Sequence, residues 1–208
     1  MIIGPKYKIC KRLGASVFEK CQTQKFQLAE ARAPRKIARR RGGSDFGVQL
    51  LEKQKARFTY GLSESQFSRY VHEAMDLPAG RQGAQGGSAQ ALLARLESRL
   101  DNVIYRAGFV KTRRAARQMV GHGHVLVNGR RVNVPSFKVE KGMTVSIRPE
   151  SRDSALFVNR TDVMAETKAP AWLKFEDQGF SVQVIENPGL GEGEAPFSAP
   201  VIIQFYSR

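Results

Sequence analysis

Apolar residues fall at helical spacing through the middle of the chain. Leu92, Leu93, Leu96, Leu100, Val103 and Ile104 form an i, i+3/i+4 stripe, which predicts one helix over 91–107 with Gly108 as its stop. A second helix, from a Thr112 N-cap to about Val120, turns Ala115, Ala116, Met119 and Val120 to one side. Earlier, Ser44 or Asp45 can cap a helix over about 48–58 with Leu50, Leu51 and Gln54 on one side. Ser63 and Gln66 have capping-box spacing. They start a helix over 64–75 whose apolar face is Phe67, Tyr70, Val71 and Ala74, and Leu77-Pro78 ends it.

After Gly121 the period changes to two. VLVNGRRVNV places Asn128-Gly129 between alternating apolar residues, the strongest short-range hairpin signal. FKVEKGMTVSI repeats the theme around Lys141-Gly142. Residues 171–175 and 180–185 alternate as half-exposed strands do, and VIIQFY at 201–206 reads as a final strand. Two segments lack such a pattern. PAGRQGAQGGSAQ at 78–90 reads as a flexible linker. Residues 1–41 have few apolar residues at regular spacing, although Phe18, Phe26 and Leu28 could form a small local cluster.

The charge distribution changes this picture from a fold to a binding protein. The 208 residues carry 34 Lys+Arg against 19 Asp+Glu, a net +15. Residues 1–41 hold 12 basic and 2 acidic residues, and 92–150 hold 12 and 4. Residues 42–91 are balanced at 5 and 5, and 151–208 are acidic at 5 and 8. Two basic blocks around a neutral one suggest two contact regions on one polyanion, with nucleic acid ahead of an anionic membrane surface. No run approaches the length of a membrane helix, and the start, MIIGPKYKICKRLG, has no secretory pattern. Cys10 and Cys21 read as reduced thiols. The first block is a solvated tail or an arm that orders on phosphates, with Arg35, Lys36, Arg39, Arg40 and Arg41 as its cations.

The second block carries the binding chemistry. Lys111 precedes Arg113, Arg114 and Arg117, which are expected on a shared helix face, and guanidinium forks suit phosphate oxygens. The capped helix start at Thr112 offers backbone N–H groups to an anion. Gln118, His122, His124, Asn128, Arg130 and Arg131 extend this surface into the hairpin, while Arg99 and Arg106 are expected to stand off the apolar stripe before it. Lys53, Lys55 and Arg57 are further candidate RNA contacts in the neutral block. The histidines lack a third metal ligand at suitable spacing. No nucleophile elbow, phosphate loop, HExxH or paired CxxC is present, so no catalytic residue, cofactor, metal or small-molecule substrate is expected.

LLARLESRL, RLDNVIYRAGF and TRRAARQMVGHGHVLVNGRRVNVPSF closely resemble the RNA-binding module of the ribosomal protein S4 family. GPKYKICKRLG, DFGVQLLEKQKARFTYGLSESQF, PAWL at 170–173 and IIQFYSR extend the resemblance over nearly the whole chain. The resemblance implies an α+β protein with an extended basic N-terminal arm at 1–43. A helical lobe at 44–92 would be completed by the C-terminal tail at 155–208, and a compact helix-helix-hairpin module would occupy 93–154. It implies direct binding to small-subunit ribosomal RNA, early in assembly of its 5′ domain. It also implies neighbours including ribosomal protein S5, a place near the channel where messenger RNA enters, an effect on translational accuracy, and a cytoplasmic, ribosomal location. Several family members hold zinc on four N-terminal cysteines. Here Cys10 matches one such position, Tyr7 occupies another and Cys21 is out of register, so no zinc is expected. An RNA-modifying enzyme of the pseudouridine synthase type carries a similar module, but it needs a separate catalytic domain, and only 58 residues follow Glu150.

Overall fold

The computed structural model describes residues 4–32, 44–77, 87–152, 154, 170–189 and 195–207. Two compact units result, one from 1–92 with 191–208 and the other from 93–190.

The first unit begins with α1 (Lys6–Leu13), a single 3-10 turn at Glu19–Cys21 and α2 (Gln24–Arg32). The expected arm therefore carries its own small core over some of its length. Cys10, Phe18, Cys21 and Phe26 are buried together, with Ile9, Val17 and Phe58 packed against them. The regular-spacing rule misses this cluster because two of its four buried residues are cysteines, which pack here as small apolar groups. Leu28, a candidate for the cluster, is exposed instead. The cations at 35–41 lie outside the described residues.

Helix α3 (Asp45–Tyr60) is capped by Ser44, whose Oγ accepts from Gly47 N, and starts a turn earlier than the pattern indicated. Its buried face is Gln49, Lys53, Ala56 and Tyr60 rather than Leu50, Leu51 and Gln54. Helix α4 (Glu64–Met75) has the expected bounds and apolar face. Ser63 Oγ accepts from Gln66 N, but the Gln66 side chain turns to the Tyr70 hydroxyl, so only half of the capping box forms.

The last element of this unit is α8 (Ala199–Tyr206), a helix in place of the expected strand. β-branched residues favour a strand locally, but this segment packs on α3 and α4, and Ile202 is fully buried. Both ends are tied: Ser198 N donates to Glu52 Oε2 at 2.7 Å, and the Tyr206 hydroxyl donates to Glu64 Oε1 at 3.0 Å.

The second unit contains α6 (Leu100–Arg106), α7 (Arg113–Gly121), and a five-stranded antiparallel sheet of order β2-β1-β3-β5-β4. Its strands are β1 (Val125–Val127), β2 (Arg130–Arg131), β3 (Thr144–Ile147), β4 (Leu173–Glu176) and β5 (Ser181–Val184). Asn128 and Gly129, both at positive φ, form the β1–β2 turn and fix the Val127–Arg130 pairing. One core joins the apolar sides of α6 and α7 to Val125, Val127, Val145, Ile147, Leu173, Val182 and Val184, with Trp172 beside them.

Three sequence expectations change in this unit. The continuous helix at 91–107 is interrupted: α5 (Gly87–Glu97) ends before an extended Arg99, and α6 then begins. The 135–139 segment causes the break, since Val139 N donates to Ser98 O while Leu100 N and Asp101 N donate to Phe137 O and Pro135 O. These bonds satisfy the first N–H groups of α6, which a helix start would otherwise leave open. The same segment is thereby diverted from pairing with β3 across Lys141-Gly142. Finally, β5 pairs with β3, so the 173–184 hairpin extends this unit's sheet instead of completing the helical lobe. Only the tail from 191 onward belongs to the first unit. Gly87–Gln90, read as linker, form the first turn of α5.

Partial burial alone would raise the Glu64 carboxyl, but hydrogen bonds from Lys53 and Tyr206, with the charges of Lys53 and Arg57, hold it below the ordinary carboxylate range. Burial first, and then the charge and hydrogen bond of Glu64, push the Tyr206 phenol upward, so it is a neutral donor at working pH. A depressed carboxyl contributes stability above its unfolded value, near 4.3, which is lost as pH falls through the folded value. Glu64→Gln is therefore expected to destabilise the protein at neutral pH and to shrink the acid-side loss of stability. Denaturant titrations at pH 7 and pH 3.5 check this, and an unchanged pH dependence contradicts it.

Candidate nucleic-acid interface

Helix α7 and the β1–β2 hairpin present the cations of the second unit. Thr112 Oγ1 accepts from Ala115 N at 3.0 Å and fixes the start of α7. Ala116, Met119 and Val120 face the core, which leaves Lys111, Arg114, Gln118 and His122 exposed along the other side. Arg131 Nη2 donates to His122 O at 3.3 Å, which joins the end of α7 to β2. Arg130 and Arg131 are both exposed, and so is Asn128, whose Oδ1 accepts from Thr144 N. The result is one polar strip from Lys111 along α7 to Arg130. His124 stands apart, half-buried, with Nδ1 2.9 Å from Ser151 Oγ.

The other arginines of the 99–117 segment, Arg114 excepted, are held from below by two carboxylates and Asn102. Arg113, Arg114 and Arg117 do not share a face as expected. Arg114 turns to solvent, whereas Arg113 and Arg117, one turn apart, lean onto α6. Arg117 Nε and Nη2 both donate to Asp101 Oδ2, at 3.0 and 2.8 Å. Asp101 is itself buried and also receives both arms of the Arg99 fork, Nε to Oδ1 at 3.0 Å and Nη2 to Oδ2 at 2.7 Å. Arg99, expected to stand off the apolar stripe, is thus an interior residue at 2% exposure. Its backbone leaves the helix at the α5–α6 break, and that carries the side chain inward.

Glu97 is fully buried and has the matching role on the preceding turn. Arg106 donates through Nε and Nη2 to its two oxygens at 2.8 and 3.1 Å, and Asn102 Nδ2 donates to Oε2 at 2.7 Å. Asn102 Oδ1 accepts from Arg113 Nε at 2.8 Å, and the Arg113 guanidinium lies 4.2 Å from the centre of the Tyr105 ring. Two carboxylates thus bind three arginines directly and reach a fourth, Arg113, through Asn102, leaving a surplus of two positive charges. Glu97 and Asp101 carry no basic signal, so a search for cations passes over them; their signal is a pair of acidic residues at two-residue spacing on either side of Arg99.

The lobe cations differ. Lys53 is buried, 2.6 Å from Glu64 Oε1 and 4.8 Å from the centre of the Phe205 ring. Lys55 pairs with Glu52 at 2.6 Å, and Arg57 lies 3.4 Å from Glu64 and over the Phe58 ring. All three serve packing within the first unit. Among the described residues, no three His, Cys, Asp or Glu side chains gather as a metal site. No helix among them is long and apolar enough to cross a membrane.

The model of the S4 domain matches residues 98–145, which contain α6, α7 and the hairpin. The model described as the ribosomal protein S4/S9 N-terminal domain matches residues 1–97. Small ribosomal subunit protein uS4 of Roseiflexus castenholzii is 45% identical, over 99% of this chain and 98% of its own. The uS4 protein of Chloroflexus aurantiacus is 41% identical over the same shares, and that of Persephonella marina is also 41% identical over 99% and 98%.

The α7–hairpin junction has one close approach. Gly123 has φ +75°, and a Cβ there would overlap the Arg131 guanidinium. Gly123→Ala is expected to cost about 1–2 kcal/mol from backbone strain alone and to expel Arg131 from His122 O. Urea denaturation checks the stability; an unaffected midpoint would show that the junction tolerates both changes. In the first unit, Cys10 and Cys21 are buried thiols, not joined in a disulfide, within an aromatic cluster. Metal analysis after mild chelation is expected to find far less than one zinc per chain. Stoichiometric zinc that disappears in a Cys10→Ser/Cys21→Ser variant would contradict this.

Proposed function

The chain belongs to the uS4 family of small ribosomal subunit proteins, and on that basis we propose that it is a non-enzymatic constituent of the small subunit that binds ribosomal RNA directly. The observation that carries this reading is the exposed strip of Lys111, Arg114, Gln118, His122, Arg130 and Arg131, which lies inside the segment matched as an S4 domain. Phosphate contacts by such cations release condensed counterions, and folded RNA is recognised largely by its shape. Arg117, Arg113 and Arg106 border the strip and add to its field. Arg99 belongs to the interior, and Lys53, Lys55 and Arg57 belong to ion pairs within the first unit, so all four leave the proposed contact set.

The finer reading follows the family. Binding to the 5′ domain of the small-subunit RNA would let the protein act early in assembly, in the cytoplasm, and a place beside ribosomal protein S5 near the incoming messenger RNA would give it an influence on accuracy. The basic segment at 35–41 would add a second contact on the same RNA. No step of this role requires a catalytic group.

Filter binding of the whole chain to a 5′-domain RNA fragment, across a salt series, tests the RNA-binding reading. Arg114→Ala and Arg130→Ala are each expected to weaken binding and to reduce the log–log salt slope by about 0.7–0.9. Native-like slopes in both variants would remove the strip from the interface. The native chain should also remain with purified small subunits through a high-salt wash.

A further inference from the structure

Ion pairing inside the second unit goes beyond charge balance. The Arg99–Asp101 pair is already neutral and bidentate, and both partners are buried. Arg117 is not needed to balance it. Yet Arg117 places two donors on Asp101 Oδ2 while its side chain stays 36% exposed beside the Arg114 strip. Arg106 repeats the arrangement, 23% exposed on a fully buried Glu97. In each case a carboxylate inside the protein grips the Nε edge of a guanidinium that reaches the surface. Long side chains lose rotamer freedom when they bind, and a fork whose plane is already set loses less.

We infer that Asp101 is a positioning residue for RNA recognition: it fixes the Arg117 guanidinium before RNA arrives, and Glu97 does the same for Arg106. This rests on the proposed RNA-binding reading and names how that surface is preorganised. It also makes a prediction opposite in sign to simple electrostatics. Removing an acidic residue from a protein that binds a polyanion raises its net charge by one, which by itself should tighten binding. If Asp101 positions Arg117, its removal should weaken binding instead.

The experiment uses the whole chain, the 5′-domain RNA fragment and two variants, each checked by circular dichroism and thermal unfolding. Asp101→Asn keeps the shape and loses the charge. Arg117→Lys keeps the charge and loses the Nε–H and the planar fork. Both are expected to bind RNA about five- to twenty-fold more weakly than native protein at one fixed salt concentration, Asp101→Asn despite its extra positive charge, and Arg117→Lys with a native-like melting curve. A folded Asp101→Asn that binds as tightly as native protein, or more tightly, would reduce Asp101 to a structural partner of Arg99 and overturn the inference. Should Asp101→Asn fail to fold, Arg117→Lys decides: native affinity rejects the positioning role, and a loss at unchanged stability supports it. Failure of the native chain itself to bind RNA would instead reject the functional reading on which the inference rests.

Discussion

Asp101 sits in the interior of the second unit with a buried arginine on both of its oxygens and a surface arginine on one of them. A lone carboxylate there would be costly to desolvate, and so would a lone Arg99; each is tolerable because the other is present with close hydrogen bonds. This pair constrains its surroundings. It forms where Arg99 is extended rather than helical, at the break between α5 and α6 that the hydrogen bonds of the 135–139 segment hold open. It also ties α6 to α7 through Arg117, and Glu97 with Asn102 does the same through Arg113. The cation strip is therefore the outer layer of an ionic network whose inner layer belongs to the fold.

The first unit uses the same chemistry to a different end. Lys53 lies between Glu64 and the rings of Phe205 and Tyr206, which binds α3 to α4 and to the far end of the chain in α8. Its positive charge is neutralised within the protein. Burial, more than pairing with a carboxylate, separates cations enclosed by the fold from cations at the surface: Lys53 and Arg99 are buried, whereas Arg117 is paired and still reaches the surface. The +8 excess of residues 92–150 becomes a surface property only because a minority of those cations are paired inside.

Local signals were legible wherever one short segment decides its own structure. The Ser44, Ser63 and Thr112 caps, the Asn128-Gly129 turn, α4 and the strands at 173–184 follow from residues within a few positions of each other. Expectations failed where a distant segment intervened. The 91–107 stripe is compatible with one helix, and nothing in it announces that 135–139 pairs with 98–101. VIIQFY favours a strand on propensity, and only packing on α3 and α4 makes it α8. Strands β4 and β5 were visible as strands, but their pairing with β3 was not. In the site, the exposed cations could be read from the sequence, whereas Arg99 was misplaced because its burial depends on the backbone break. Glu97 and Asp101 went unnoticed because an acidic residue in a basic block looks like ordinary surface mixing.

The proposed function has RNA meet the α7 side of the second unit. Cys10 and Cys21 are buried at 2% and 0% exposure, so a single introduced surface thiol can be labelled selectively. An iron chelate tethered at Gln118→Cys, in the middle of the strip, is compared with one at Lys174→Cys, on the sheet edge opposite β2. With each labelled chain bound to the 5′-domain RNA, hydroxyl-radical cleavage is mapped along the nucleotides. Strong, localised cleavage is predicted from position 118, and much weaker cleavage from position 174. Strong cleavage from 174 with little or none from 118 would place the RNA on another face and contradict the proposal.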